Sequence, residues 1–328
     1  YTSNFLYLAA KSSGWSQPFL IFKFDKNQYS DLGNSDLTYL DINSVGVKML
    51  GDADFAWDLS NTRYSVPKWS GSNALFAASM WMGGYSGGQL HMAAMTYRQN
   101  GVDFWPGPLD TLSDSTLAWW GNMLNPNTGN IPVWKINSYD VANFSYNWNA
   151  GNVQNGNYTP PPNFLTWPGN GTGNYAHNLA PYMDVNGNNI YDPLQGGDYP
   201  LIKGDQMIWW VFNDNAATHT ETGGKAFGAE VHASAYAYLC PNIADSNRTL
   251  NYTTFYNYRI YNRSARQYDS TFVGLWIDAD LGEYMDDNIG CDVMNNYGFI
   301  YNGDNYDNDG GGHIGYHQNL PVFATNIL

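Results

Sequence analysis

Ten carboxylates lie between Gln267 and Leu328 (Asp269, Asp278, Asp280, Glu283, Asp286, Asp287, Asp292, Asp304, Asp307 and Asp309), and the same stretch holds no Lys or Arg. Folding brings such groups close together, where like charges raise one another's pKa or drive the chain apart. A hard cation removes the conflict, since Ca²⁺ takes about six to eight oxygen ligands from carboxylates, amides and backbone carbonyls. A solvated acidic surface is the alternative, but Trp276, Ile277, Leu281, Tyr284, Ile289 and Phe299 thread the run and call for burial. Asp278 and Asp280 leave the end of a strand on one face, because alternate residues point the same way. Asp286, Asp287 and Asp292 return after a turn at Leu281 and Gly282, and Asp304 and Asp307 follow the next strand. Asp309, beside a glycine run, reads as solvated. Asp278, Asp280, Asp286, Asp287, Asp292, Asp304 and Asp307 are expected to hold structural calcium.

A second loop, DVNGNNIYDPLQGGD at residues 184–198, places oxygen side chains at positions 1, 3, 5 and 9 (Asp184, Asn186, Asn188 and Asp192) and the carbonyl of Ile190 at position 7. That is the spacing of an EF-hand-type calcium loop. Asn189 stands where glycine is usual, although Asn tolerates a left-handed turn. Gln195 stands where the bidentate carboxylate is expected, which leaves Asp198, three residues further on, to supply one. Without metal, the same residues read as an Asx-turn loop.

Catalytic chemistry finds less support. His219 with Glu221 and Glu230 with His232 form H-x-E and E-x-H pairs, and a hairpin through GGKAFG would join them as a zinc site. Cross-strand polar pairs on a solvent face show the same pattern. Asp54, Asp58, Asp103, Glu221 and Glu230 are carboxylates for a glycosidase pair, but no spacing selects two of them. There is no P-loop, no GxGxxG after a strand and no GxSxG elbow. The chain is expected not to be an enzyme, with Ca²⁺ as its only cofactor.

The elements that must carry these loops read as strands. Residues 19–24 (FLIFKF) and 207–213 (MIWWVFN) are apolar runs suited to buried strands, and residues 230–239, 253–262 and 270–278 alternate with a period of two. Residues 75–82 and 89–98 flank GGYSGG, a connection suited to a hairpin. Residues 101–110 form a proline-stiffened loop around Trp105. Residues 137–173, rich in Asn, Gly, Tyr and Pro, read as a long surface excursion anchored by Trp148, Phe164 and Trp167. The expected fold is mainly β: an antiparallel β-sandwich or jelly roll with long Asn/Gly-rich loops and calcium-bound loops, forming one large domain over residues 1–328. Strand-rich parts at 1–136 and 200–328 would flank the 137–199 excursion.

Hydrophobic residues at 43% and aromatics at 16% suffice for a packed core. The net charge is −15 and the fourteen Lys and Arg are scattered, which argues against a nucleic-acid groove or an anionic-membrane patch. No apolar run approaches the length of a membrane span. Cys240 and Cys291 are too few for a disulfide scaffold, and both pairing and free thiols stay open. A start at Tyr1 without Met fits a processed secreted chain.

Several blocks resemble the amino-terminal region of large secreted surface proteins of Bacteroidota that end in a type IX secretion sorting domain. They are YSVP (64–67), TYRQNGVDFWPGPLD (96–110), LAPYMDVNGNNIYDPLQGGDYPLIKGDQMIWWVFND (179–214), HTETGG (219–224), YNRS (261–264) and LWIDADLGEYMDDNIGCD (275–292). The resemblance implies a secreted, extracellular or cell-surface location and suggests that both acidic loops are structural features. It supplies no catalytic residue. The functional expectation is a calcium-stabilised β subunit of a surface layer, fibre or filament, self-associating or bound to other surface proteins, with the apolar segment PVFATNIL available as a donated strand. A carbohydrate-binding adhesin, using exposed Trp and Tyr around residues 101–110 and 137–173 to take glycans, is the alternative. A secreted hydrolase comes third.

Overall fold

The structure, a computed structural model, describes residues 38–111, 133–240 and 246–327, together with the backbone of two paired strands, Phe5–Ala10 and Leu20–Asp25. The second of these falls where FLIFKF is expected to form a strand; its burial lies outside the described residues. The molecule is mainly β, with several sheets, and every strand pairs antiparallel with its neighbour.

The strand Gln206–Asn213 is its axis, with every residue buried. Trp134–Asn137 pairs along one edge and Ala229–Ala237 along the other, where Phe255–Asn262 completes the sheet. The short strand Trp105–Pro106 extends the first edge. Side chains alternate across a strand, so Ile208, Trp210 and Phe212 enter one hydrophobic cluster and Met207, Trp209 and Val211 enter another. Full burial of each such side chain contributes about 1.5–3 kcal/mol relative to leaving it in water. The indole N–H of Trp210 donates to the carbonyl of Asp52 at 2.8 Å, so its burial leaves no polar group unpaired.

The first cluster takes its other side from a second sheet, in which Asp269–Asp278 pairs with Ala77–Ser86, and Asp54–Phe55 and Gln89–Ala93 share the far edge. The hairpin expected around GGYSGG is present but tighter. Gly83, Gly84, Tyr85 and Ser86 belong to the strand, and only Gly87 and Gly88 turn, with φ of 55° and 74°. Two consecutive left-handed residues suit the twist of a two-residue hairpin.

The second cluster is closed by the segment expected to be a loop, which instead holds two helices, Ser138–Asn149 and Pro162–Leu165. The signal was present in the residues. Asp140 accepts hydrogen bonds from the backbone N–H and the side-chain amide of Asn137, at 3.2 and 2.9 Å, and so caps the first turn. Val141, Phe144 and Trp148 then recur at helical spacing and pack into the cluster. Phe164 and Trp167 are buried there, as anchors should be. The face of Ala229–Ala237 expected to meet solvent is covered too: Glu230, His232 and Ser234 are buried, Glu230 against Leu109 and Arg263 and His232 against Trp209 and Tyr261.

A third sheet orders Asp287–Asp292, Tyr297–Asn302 and Val322–Asn326. The segment considered for donation to a neighbour folds back as the last strand of this sheet in its own chain. Among the described residues, no helix is long and apolar enough to cross a membrane.

Candidate metal centres

The acidic run is gathered by a sharp reversal after Asp278. Leu281 is buried and acts as the pivot, and Gly282 (φ 72°) makes the turn. A Cβ on Gly282 would lie 2.0 Å from Oδ2 of Asp307, so only glycine fits. Asp307, itself buried, accepts from the backbone N–H groups of Glu283 at 3.0 Å and Tyr316 at 2.5 Å. One oxygen of Asp287 accepts from Leu281 N–H at 2.8 Å, one of Asp286 from the Asn302 amide at 3.0 Å, and one of Asp278 from the Tyr97 hydroxyl at 2.5 Å.

The remaining oxygens carry the electrostatic problem. Glu283 Oε1, Asp286 Oδ1 and Asp287 Oδ1 are buried atoms with no hydrogen-bond partner. Buried acceptors are normally satisfied, and an unsatisfied one is costly. Desolvation, followed by the charges of Asp286, Asp307 and Asp280, pushes the carboxyl of Asp287 up to about 7. Desolvation and then Asp278 push Asp280 up to about 6, against the opposing influence of His313. Asp278, Asp280, Asp286, Asp287 and Asp307 are thus brought into one field, and Glu283 joins them.

Asp292 and Asp304 are not brought in. Asp292 ends its strand at the far side and accepts from the backbone and side-chain amides of Asn295, which hold its carboxyl below the usual range. Asp304 is exposed and accepts from Tyr306 N–H at 2.7 Å in a local turn. Asp309 is exposed, as expected.

In the 184–198 loop, the two oxygens of Asp184 accept from the N–H groups of Gly187 and Asn188 on one side and Asn189 on the other, at 2.8 to 3.2 Å. These bonds curl the chain around its own first residue. Asn189 takes the left-handed conformation, φ 60°. Asn186 and Asn188 both direct amide nitrogens at the carboxylate of Asp192, the shorter contact being 2.8 Å from Asn188. Three of the expected ligands therefore meet at one point, and the Ile190 carbonyl accepts no hydrogen bond among the described residues. Asp198 is buried beneath the same loop, close enough to feel the charges of Asp192 and Asp184. Its two oxygens accept from Val185 N–H at 2.7 Å and Asp192 N–H at 3.1 Å, while desolvation raises its pKa. The loop is pinned by Tyr191, whose hydroxyl donates to the Phe164 carbonyl at 2.6 Å, and by Gly197, which lies flat against Trp148.

The zinc pairing divides into two places. His219 sits between the carbonyls of Met92 and Asp214, whereas His232 pairs with Glu230, which also binds Arg263 and Leu109 N–H. The other carboxylates considered for hydrolysis are likewise engaged: Asp54 with Arg98, Asp58 with Arg63, Asp103 with Thr222, and Glu221 with Thr96. Among the described residues, no three His, Cys, Asp or Glu side chains form a finished ligand set. An ion in either acidic loop would therefore draw on side-chain rotation and on amide or carbonyl oxygens. Among the described residues, Cys240 and Cys291 form no disulfide.

The chain matches no family model, no curated protein and no solved structure.

Proposed function

We propose that the chain is a calcium-stabilised extracellular β subunit of a surface layer, fibre or filament, with a sandwich-like core and no catalytic role. The observation that carries this reading is the set of three partnerless buried carboxylate oxygens, on Glu283, Asp286 and Asp287, in a stretch without Lys or Arg. A Ca²⁺ ion there would supply the missing positive charge. It would also tie the end of the Asp269–Asp278 strand to the 281–287 turn and to Asp307. Asp184, Asn186, Asn188, Asp192 and the Ile190 carbonyl would hold a second ion once the two amides turn their oxygens inward.

Subunit association is supported by the apolar surface around the third sheet. Ile289 is 85% exposed and Met294 94% exposed, with Val293, Val322 and Ile327 also open. Apolar groups concentrated in this way mark contact surfaces. The secretion route and bacterial origin rest on the sequence blocks alone. Calorimetric titration of the EDTA-treated chain with CaCl₂ tests the metal, and electron microscopy with and without Ca²⁺ tests assembly. Saturable Ca²⁺ binding with a raised Tm is expected; no heat of binding and no divalent ion by elemental analysis would overturn the reading.

A further inference from the structure

A cleft of about 710 Å³ opens between the 60–73 loop and the 311–314 turn. Ser60, Asn61, Arg63, Asn73 and His313 line it together with Trp69 and Tyr39. No carboxylate lines it, in a chain with 29 Asp and Glu. The guanidinium of Arg63 is already matched by Asp58 at 2.5 Å, so the cleft offers donors without a free full charge on that arginine.

Trp69 is 59% exposed, and its backbone holds φ at 66°, a region that bulky residues avoid. Two contacts keep it there. Its N–H donates to the Ser65 hydroxyl at 3.2 Å, and Tyr39 meets the indole edge-on, with centroids 5.3 Å apart at 62°. The left-handed backbone and the Tyr39 contact thus hold the ring with more than half of its surface open to solvent, where burial would be the default for so large a side chain. The two walls meet at Gly71, where a Cβ would lie 2.7 Å from Ile314 Cδ1.

A fixed, exposed indole beside neutral hydroxyl and amide groups suits one ligand class above others. A pyranose has an apolar C–H face for the ring and equatorial hydroxyls for Asn, Ser and Arg donors and acceptors. A hydrocarbon would leave those polar groups unpaired. A nucleotide base would stack equally well, but its phosphates would meet a chain of net charge −15. We propose that this cleft binds a neutral carbohydrate, with one pyranose ring stacked on Trp69 and its hydroxyls held by Asn61, Asn73 and Arg63. The proposal stands whether or not the acidic loops take calcium.

The test is biolayer interferometry of the whole chain at constant Ca²⁺. The probes are immobilised oligosaccharides ending in glucose, galactose, mannose or N-acetylglucosamine, with sialylated and sulfated glycans as the acidic arm. Saturable binding to at least one neutral probe is expected. Trp69→Ala should weaken it about tenfold or more, equivalent to about 1.4 kcal/mol, and Asn61→Ala should weaken it too. Tyr146→Ala, an exposed aromatic on the Ser138–Asn149 helix, should leave it unchanged. If Trp69→Ala lowers Tm, Trp69→Phe and Asn61→Ala decide, with partial retention expected from the first. Failure of every neutral probe to saturate, binding to the acidic arm alone, or undiminished binding by the Trp69 and Asn61 variants would overturn the proposal.

Discussion

Chelation should expose an inverted pH dependence that traces to Asp287. Its carboxyl is raised from 3.8 to about 7 in the metal-free fold, first by desolvation and then by Asp286, Asp307 and Asp280. The folded state therefore holds this proton more tightly than the unfolded chain does. The resulting stabilisation is complete below the unfolded pKa, near 4, and is lost as pH rises through about 7. Converted at about 1.36 kcal/mol per pH unit, the full shift is about 4 kcal/mol. Because the side chain is partly open to solvent, screening reduces this to about 1–2 kcal/mol. For a chain of this size, that is about 2–3 °C in Tm. The measurement is calorimetry in EDTA at about pH 5 and pH 8, on the wild type and Asp287→Asn. The wild type should lose stability toward pH 8, and the variant, neutral throughout, should lose about 1–2 kcal/mol less. The comparison isolates Asp287 from Asp52, Asp140, Asp198 and Asp214, which burial also pushes up. With Ca²⁺ present the difference between wild type and variant in this trend should disappear, and the variant should gain less from the ion. An EDTA profile identical in both proteins would refute the argument.

The remaining expectations concern other parts of the fold. Asp184→Ala removes the acceptor of three backbone N–H groups and should lower Tm in EDTA as well as blunt the response to added Ca²⁺, read by differential scanning fluorimetry. Gly197 has φ 82° and a Cβ position 2.3 Å from the Trp148 ring, so Gly197→Ala should cost about 2–4 kcal/mol by denaturant titration, combining overpacking with left-handed strain. Lys135 and Asp41 form a buried ion pair at 2.6 Å. Lys135→Met alone should destabilise by about 3–5 kcal/mol because it strands the carboxylate, and adding Asp41→Leu should recover most of the loss.

The long strands were legible because each carries its pattern locally. The run MIWWVFN needs no partner to look buried; residues 253–262 and 270–278 do form strands where expected, but their burial does not alternate, the first half of Asp269–Asp278 being exposed and the second half half-buried. The Ser138–Asn149 helix was obscured by composition. Asn and Tyr are poor helix formers, so the cap at Asn137 and Asp140 and the 141, 144, 148 spacing were outweighed by residues that favour turns. The acidic run announced a charge conflict but not its geometry. Glu283 lies within that run, yet alternation along a strand cannot follow a chain through the tight turn at Gly282. Tyr97 binds Asp278 from 181 residues away, a contact that no local pattern encodes. The Trp residues of the 101–110 and 137–173 segments were candidates for a glycan surface, but Trp105 is half-buried against His219, Trp148 packs on Gly197 and Trp167 is buried. Exposure depends on what packs above a ring, and residue type alone does not report it.

Because Gln206–Asn213 sends alternate side chains into opposite interiors, neither interior can be wetted alone. Drawing that one ribbon out would uncover Trp209 on one side and Trp210 on the other in a single step. The β layer and the helical layer are therefore latched by a shared component, and a lesion such as Trp210→Ala would loosen the distant helices as surely as the sheet it faces.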